Sequence, residues 1–266
     1  ESFRNDPDYK QKLVDEMNDT SPETIQAVQD YLQDVKNNAY SFETDSGKAD
    51  MITGKVLANY QWSGDAVYTM DQAEEDGVFL DYAVPEESTN IYFDGWVMLK
   101  SGIKGDLNKK HAAQSFINFL SIPENAVRNM DYIGYTSVIS GGDSDVVYEY
   151  VKWNYEAEDE EDTIEYPLGY FFSGDSDDED FILTVSKEQA VRQLSAQYPT
   201  EKVMKRSAVM QYFDKEENSK INQMWINVRC YNIANTPVWV WVLTVILVIL
   251  GAALLIYRHF SINARN

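Results

Sequence analysis

Ile25, Val28, Leu32 and Val35 recur at three- and four-residue spacing behind Ser21-Pro22-Glu23. A capping hydroxyl followed by Pro at the first helical position predicts a helix start, and the spacing puts the four apolar residues on one face. Three short apolar runs predict strands: Val56 to Trp62 (VLANYQW), Val78 to Val84 (VFLDYAV, stopped by Pro85) and Ile91 to Leu99 (IYFDGWVML). Gly95 inside the third marks a bulge or a close approach of another chain segment. His111 to Leu120 reads as a helix with Ala112, Phe116, Ile117 and Leu120 facing inward. Ser121-Ile122-Pro123-Glu124 resembles a capping box and predicts a second helix through Met130. Helices alternating with short apolar strands indicate an α/β layer fold. The sequence contains no internal repeat.

Near the C-terminus the pattern changes. Val238 to Tyr257 (VWVWVLTVILVILGAALLIY) is an uninterrupted apolar run without a charge. At 1.5 Å per residue a helix of that length spans about 30 Å, the thickness of a hydrocarbon core. Trp239, Trp241 and Tyr257 lie near its ends, where interfacial aromatics belong. Arg258, His259 and Arg265 follow it with no acid among them, which places residues 258–266 in the cytoplasm and the chain before the span outside. Such a topology requires an export signal or an earlier span, and the first residue is Glu1, so upstream sequence is expected.

The 266 residues allow one large domain or two small ones. A net charge of −22 repels phosphate backbones, which argues against nucleic acid as a partner, and favours small cations. One cysteine, Cys230, excludes an intramolecular disulfide, and two histidines, His111 and His259, leave little for metal or triad chemistry. Phosphate-loop, dinucleotide and nucleophile-elbow motifs are absent, as is any paired nucleophile and base. Neither an enzyme nor a cofactor is expected. Between Glu156 and Phe181 stand twelve acids and no Lys or Arg. Asp175, Asp177 and Glu179 alternate like oxygen ligands, but the loop lacks the central Gly of a calcium hand, so a solvated surface insertion is the expectation.

Three segments combine an aromatic with a nearby acid: Trp62-Ser63-Gly64-Asp65, Tyr92-Phe93-Asp94-Gly95-Trp96 and Asp131-Tyr132-Ile133-Gly134-Tyr135. Aromatic faces attract ammonium groups, and carboxylates give them charge-assisted hydrogen bonds. An aliphatic polyamine needs both, walls for its methylenes and an acid at each amine. Tyr92 as a plain core residue and Asp65 as a helix cap are the competing readings.

The order W-S-G-D, then F-D-G-W, then A-x-x-F-I-N-F-L-x-x-P-E-x-A, then Y-I-G-Y-T resembles the spermidine/putrescine-binding proteins of ABC importers. Here these are Trp62 to Asp65, Phe93 to Trp96, Ala113 to Ala126 and Tyr132 to Thr136. Gln197-Tyr198-Pro199 and Val203-Met204-Lys205-Arg206 look like that family's C-terminal region. The resemblance covers the second half of such a protein, over residues 1–230. It implies a two-lobed periplasmic-binding-protein fold of type II, with the first lobe largely missing.

The resemblance further implies a site. Trp62 and Tyr92 would wall the ligand, Asp94 would hold an amine, and Tyr135 would close the cleft. Asp65 and Thr44 would line it. Asn5 stands where the family's pattern has an acid, and Gln211 would add a polar contact. The implied role is polyamine capture for ABC permease subunits, on the outer face of the cell membrane. Another small cationic solute, or a membrane-anchored interaction module without a ligand, are the alternatives.

Overall fold

The computed structural model describes residues 6–142, 144–158, 162–230 and 237–263. In chain order the helices are α1 (Tyr9–Met17), α2 (Pro22–Asn38), α3 (Ser46–Ile52), α4 (Ser63–Glu75), α5 (Lys100–Ile103), α6 (Leu107–Leu120), α7 (Pro123–Ile133), α8 (Val146–Tyr155), α9 (Gly169–Phe172), α10 (Gln193–Gln197), α11 (Glu201–Lys205), α12 (Lys215–Arg229) and α13 (Val238–Asn263). The strands are β1 (Thr89–Ile91), β2 (Thr163–Pro167), β3 (Ile182–Ser186) and β4 (Ser207–Val209). Two units separate: Glu1–Asp19 with Glu43–Tyr212, and Thr20–Phe42 with Phe213–Asn266.

Both sheets belong to the first unit. β1 and β4 pair in parallel, Thr89 opposite Ser207 and Ile91 opposite Val209. β2 and β3 pair antiparallel, Thr163 opposite Ser186 through Pro167 opposite Ile182. Tyr166, Leu183 and Val185 of that hairpin point into a core with Val151, Leu168, Leu194 and Tyr198. A second cluster joins Ala66, Val67 and Met70 of α4 to Ala196. Helix α10 serves both, since Leu194 faces one cluster and Ala196 the other. The wedge is held by polar pairs: the Tyr166 hydroxyl donates to the Tyr198 carbonyl at 2.7 Å, and Tyr155 donates to Gln197 Oε1 at 2.8 Å.

In the second unit α2 and α12 run side by side in the same direction. Thr20, ahead of α2, donates to Glu217 in the first turn of α12 at 3.2 Å. At the other end the Lys36 ammonium donates to the carbonyl of Val228 at 2.7 Å, where a cation suits the exposed carbonyl end of a helix. Asp214 and Glu217 form a reciprocal capping box that starts α12. Ser21 caps α2 through the Thr24 N–H and Pro22 opens it, as the sequence leads one to expect.

Several expected elements differ. Val56 to Trp62 is not a strand but the approach to α4, with Leu57 97% exposed. Val78 to Val84 is not a strand: its Tyr82 N–H donates to the Val191 carbonyl, in a 3-10 turn, rather than to a neighbouring strand. The run from Ile91 to Leu99 keeps only Ile91 in β1, because β4 offers three residues and the ladder stops with it. Ala112 and Phe116 are exposed on α6, not inward. Ser121 does not cap α7. Its hydroxyl donates back to the Ile117 carbonyl at 2.9 Å and closes α6, while Ile122 precedes Pro123 as the uncapped N-terminus of a helix that continues to Ile133. The acidic stretch is more than a surface loop. Its acids at 165, 175, 177 and 179 are exposed, while Tyr166 and Leu168 enter the core. The chain is thus mixed, more helical than the pattern of apolar runs suggests, with two small sheets.

Among the described residues one helix, α13, is long and apolar enough to cross a membrane, through Val238–Leu255, and none of that stretch is buried.

Candidate functional site

Helix α4 begins at Ser63, directly after Trp62, whose carbonyl accepts the Ala66 N–H at 2.9 Å. This leaves the Trp62 ring at the helix mouth, 51% exposed. Tyr92 follows the last residue of β1, and its ring meets Trp62 edge to face, centroids 4.7 Å apart. Its hydroxyl lies 3.2 Å from the Ser63 hydroxyl. Tyr92 is half-buried and belongs to this cluster rather than to either core. The Tyr135 ring also meets Tyr92 edge to face, at 6.2 Å.

Tyr135 is placed by two glycines and a glutamine. Gly134 ends α7 in the left-handed conformation, φ 76°, and its α-carbon comes so near α4 that a Cβ would lie 2.7 Å from the Gly64 carbonyl oxygen. Gly64 in turn leaves room for the Tyr135 ring, which a Cβ would meet at 2.1 Å. Gln197 of α10 accepts the Thr136 hydroxyl on its carbonyl at 2.8 Å and reaches the Gly134 carbonyl with its side-chain amide at 3.4 Å. The core wedge therefore holds the segment that carries Tyr135.

Asp65 and Asp94 supply the charge. Burial, then the charges of Asp65, Tyr92 and Asp94, pushes the Tyr135 phenol well above its ordinary range. Burial also raises the Tyr92 phenol. Both rings thus stay neutral at physiological pH and present uncharged aromatic surface beside two carboxylates. Asp65 does not cap α4. It pairs with the Lys48 ammonium of α3 at 3.1 Å, a residue that sequence spacing gives no reason to single out. Asp94 is exposed, and among the described residues no cation pairs with it.

The remaining expected site residues stand apart. Thr44 is exposed just before α3, and Gln211 is exposed two residues beyond β4, its N–H donating to Asn18 Oδ1 at 2.6 Å. Gln211 and Tyr92 nevertheless sit at the same end of the parallel pair, beyond the carboxyl ends of β4 and β1, where α/β sheets commonly bind ligands. Asn5 lies outside the described residues.

Residues 8–151 match the model of the bacterial extracellular solute-binding proteins, more than half of the chain. The chain belongs to that family. No solved structure matches it. The matched stretch contains Trp62, Asp65, Tyr92, Asp94 and Tyr135 and ends within α8. As an extracellular solute-binding protein the chain is of a type that acts outside the cell and is typically non-enzymatic.

Proposed function

We propose that this solute-binding protein captures an aliphatic polyamine such as putrescine or spermidine and presents it to the permease of an ABC importer. The observation that carries the reading is the contiguous row Trp62–Tyr92–Tyr135 with Asp65 and Asp94 beside it. The rings give apolar and π surface to the methylenes and ammonium of the ligand, and a carboxylate gives the charge-assisted hydrogen bond. Since Trp62 and Asp94 are exposed, the row is one wall of a site. On this reading ligand closes the site by its greater affinity for the closed state. Helix α13, apolar and exposed, anchors the protein in the cytoplasmic membrane with the binding unit outside.

Titration calorimetry of the full chain in detergent micelles, with putrescine and spermidine, tests this. Asp94→Asn removes the carboxylate that has no cation partner among the described residues and is expected to weaken binding about 10- to 100-fold, the worth of one hydrogen bond to a charged group at 1.4 kcal/mol per decade. Asp177→Asn alters an equally exposed acid of the acidic stretch, away from the aromatic row, and should change affinity less than about fivefold. Equal small effects from both, with the circular dichroism spectrum intact, would remove Asp94 from the site.

A further inference from the structure

Two carboxylates accompany the aromatic row, Asp65 in the first turn of α4 and Asp94 two residues after Tyr92, but they are not equivalent. Asp65 is mostly shielded, with 16% of its side chain exposed, and it already has a cation. The Lys48 ammonium sits 3.1 Å from Asp65 Oδ1, and the Lys48 side chain is itself only 26% exposed. Asp45, at the N-terminus of α3, approaches the same ammonium from the outer side at 3.7 Å, with 82% of its side chain in solvent. The hydrogen bond to Asp65, ahead of the cost of desolvation, raises the Lys48 ammonium above its ordinary pKa, so it is charged at every physiological pH. Lys48 reaches Asp65 from α3, a helix packed against α4, and the side chain is therefore delivered by the fold rather than by a mobile tail. Asp94 is exposed and has no such partner among the described residues.

We infer that Lys48 is a resident ammonium that occupies the inner acid of the aromatic row, so that this wall of the site accepts one ligand ammonium, at Asp94, and not two. This rests on the row being an amine site. A primary ammonium is chemically the same group as the end of a polyamine. The protein has thus filled one of the two positions that a diamine could otherwise span, and it has reduced the charge of the wall from two negatives to one. Lys48 becomes a specificity-determining residue. This wall gives a polyamine one ammonium contact, at Asp94, and its further amines gain nothing from the row itself.

The test compares putrescine with n-butylamine, which share a four-carbon stem and differ by one ammonium. Both are titrated calorimetrically against the full chain in detergent micelles. The unaltered protein should bind the two with affinities within about threefold of one another, since only one charge-assisted contact is on offer. Lys48→Met keeps the length and apolar stem of the side chain and leaves Asp65 without its cation. Putrescine affinity should then rise about tenfold, the worth of one added charge-assisted contact at 1.4 kcal/mol per decade, while butylamine changes less than about twofold. Lys48→Arg should keep the original ratio, because the cation is kept. Lys48→Met combined with Asp65→Asn should lose the gain. A putrescine-to-butylamine ratio unchanged or lowered in Lys48→Met, with butylamine still bound, overturns the role of Lys48 and leaves the amine site standing. Failure of either protein to bind either amine, with circular dichroism unchanged, overturns the amine site and the inference with it.

Discussion

A Cβ on Gly64 would stand 2.1 Å from the Tyr135 ring, far inside any contact distance. The residue is in α4, where Ala would ordinarily gain about 1 kcal/mol of helix propensity over Gly. The clash opposes this by about 1–3 kcal/mol, the usual cost of overpacking. Gly64→Ala is therefore expected to leave a folded protein with a slightly lowered melting temperature and a displaced Tyr135. Its effect should be felt chiefly as weakened amine binding, about tenfold or more for one lost aromatic wall. Calorimetry together with a thermal melt separates the two. Unaltered affinity would mean that Tyr135 takes no part in binding. The same closeness explains why this tyrosine is placed so sharply: at 134 and 64 only glycine lets α7 end against the start of α4.

At the scale of elements, the seam between α4 and α10 carries a connected set of polar pairs. Arg192, whose side chain is 7% exposed, pairs with Glu74 and donates to the Leu80 carbonyl at 3.2 Å. Glu74 also accepts from Gln193 at 2.7 Å, and Gln193 donates to Asp71 at 3.1 Å. Glu74→Ala removes the nearer of two carboxylates from the buried guanidinium, leaving Glu188 at 3.7 Å, and should cost about 1–2 kcal/mol in denaturant unfolding, below the range for a fully buried pair because Glu74 is partly solvated and a second acid remains. Asp71 behaves oppositely. Partial desolvation of its carboxyl group, with the nearby charges of Asp131 and Glu75, raises it above its ordinary value of 3.8 against the opposing bond from Gln193 and the charge of Arg192. An acid raised in the folded state binds more protons there than when unfolded. Its ionisation therefore subtracts stability as pH rises through the window above 3.8, and nothing is lost below it. Asn keeps an oxygen for Gln193 and carries no charge. Asp71→Asn should raise the melting temperature modestly at pH 7, and the advantage should shrink to nothing as pH falls below 3.8. A pH series of melts on both proteins checks the sign, and a constant difference at all pH values would exclude the titration of Asp71 as its cause.

At the scale of the whole molecule, the proposed anchor decides where the acidic binding unit lies. With α13 in the membrane and Arg258, His259 and Arg265 on its inner side, protease added to intact spheroplasts should digest residues before the span and spare an epitope at the C-terminus. Ending the chain at residue 237 should release the remainder from membranes on washing. Protection of the acidic unit in intact cells would reverse the orientation.

Local chemistry was enough for the features that the sequence determined by itself. Ser21-Pro22 starts a helix because both residues satisfy its free N–H end, whatever packs against it. The charge-free run Val238 to Tyr257 is helical and too apolar to need a partner protein for its reading. The spaced aromatics and acids pointed to Trp62, Tyr92 and Tyr135, which the fold does bring together. Strands needed the tertiary structure, because an apolar run becomes a strand only when another edge completes its ladder. Val78 to Val84 has no such edge, while Ile182–Ser186, preceded by a run of acids, finds one in β2. The state of the two carboxylates was likewise decided in three dimensions. Lys48 is seventeen residues from Asp65, on another helix, and only the packing of α3 against α4 sets its ammonium on the inner acid and leaves Asp94 open.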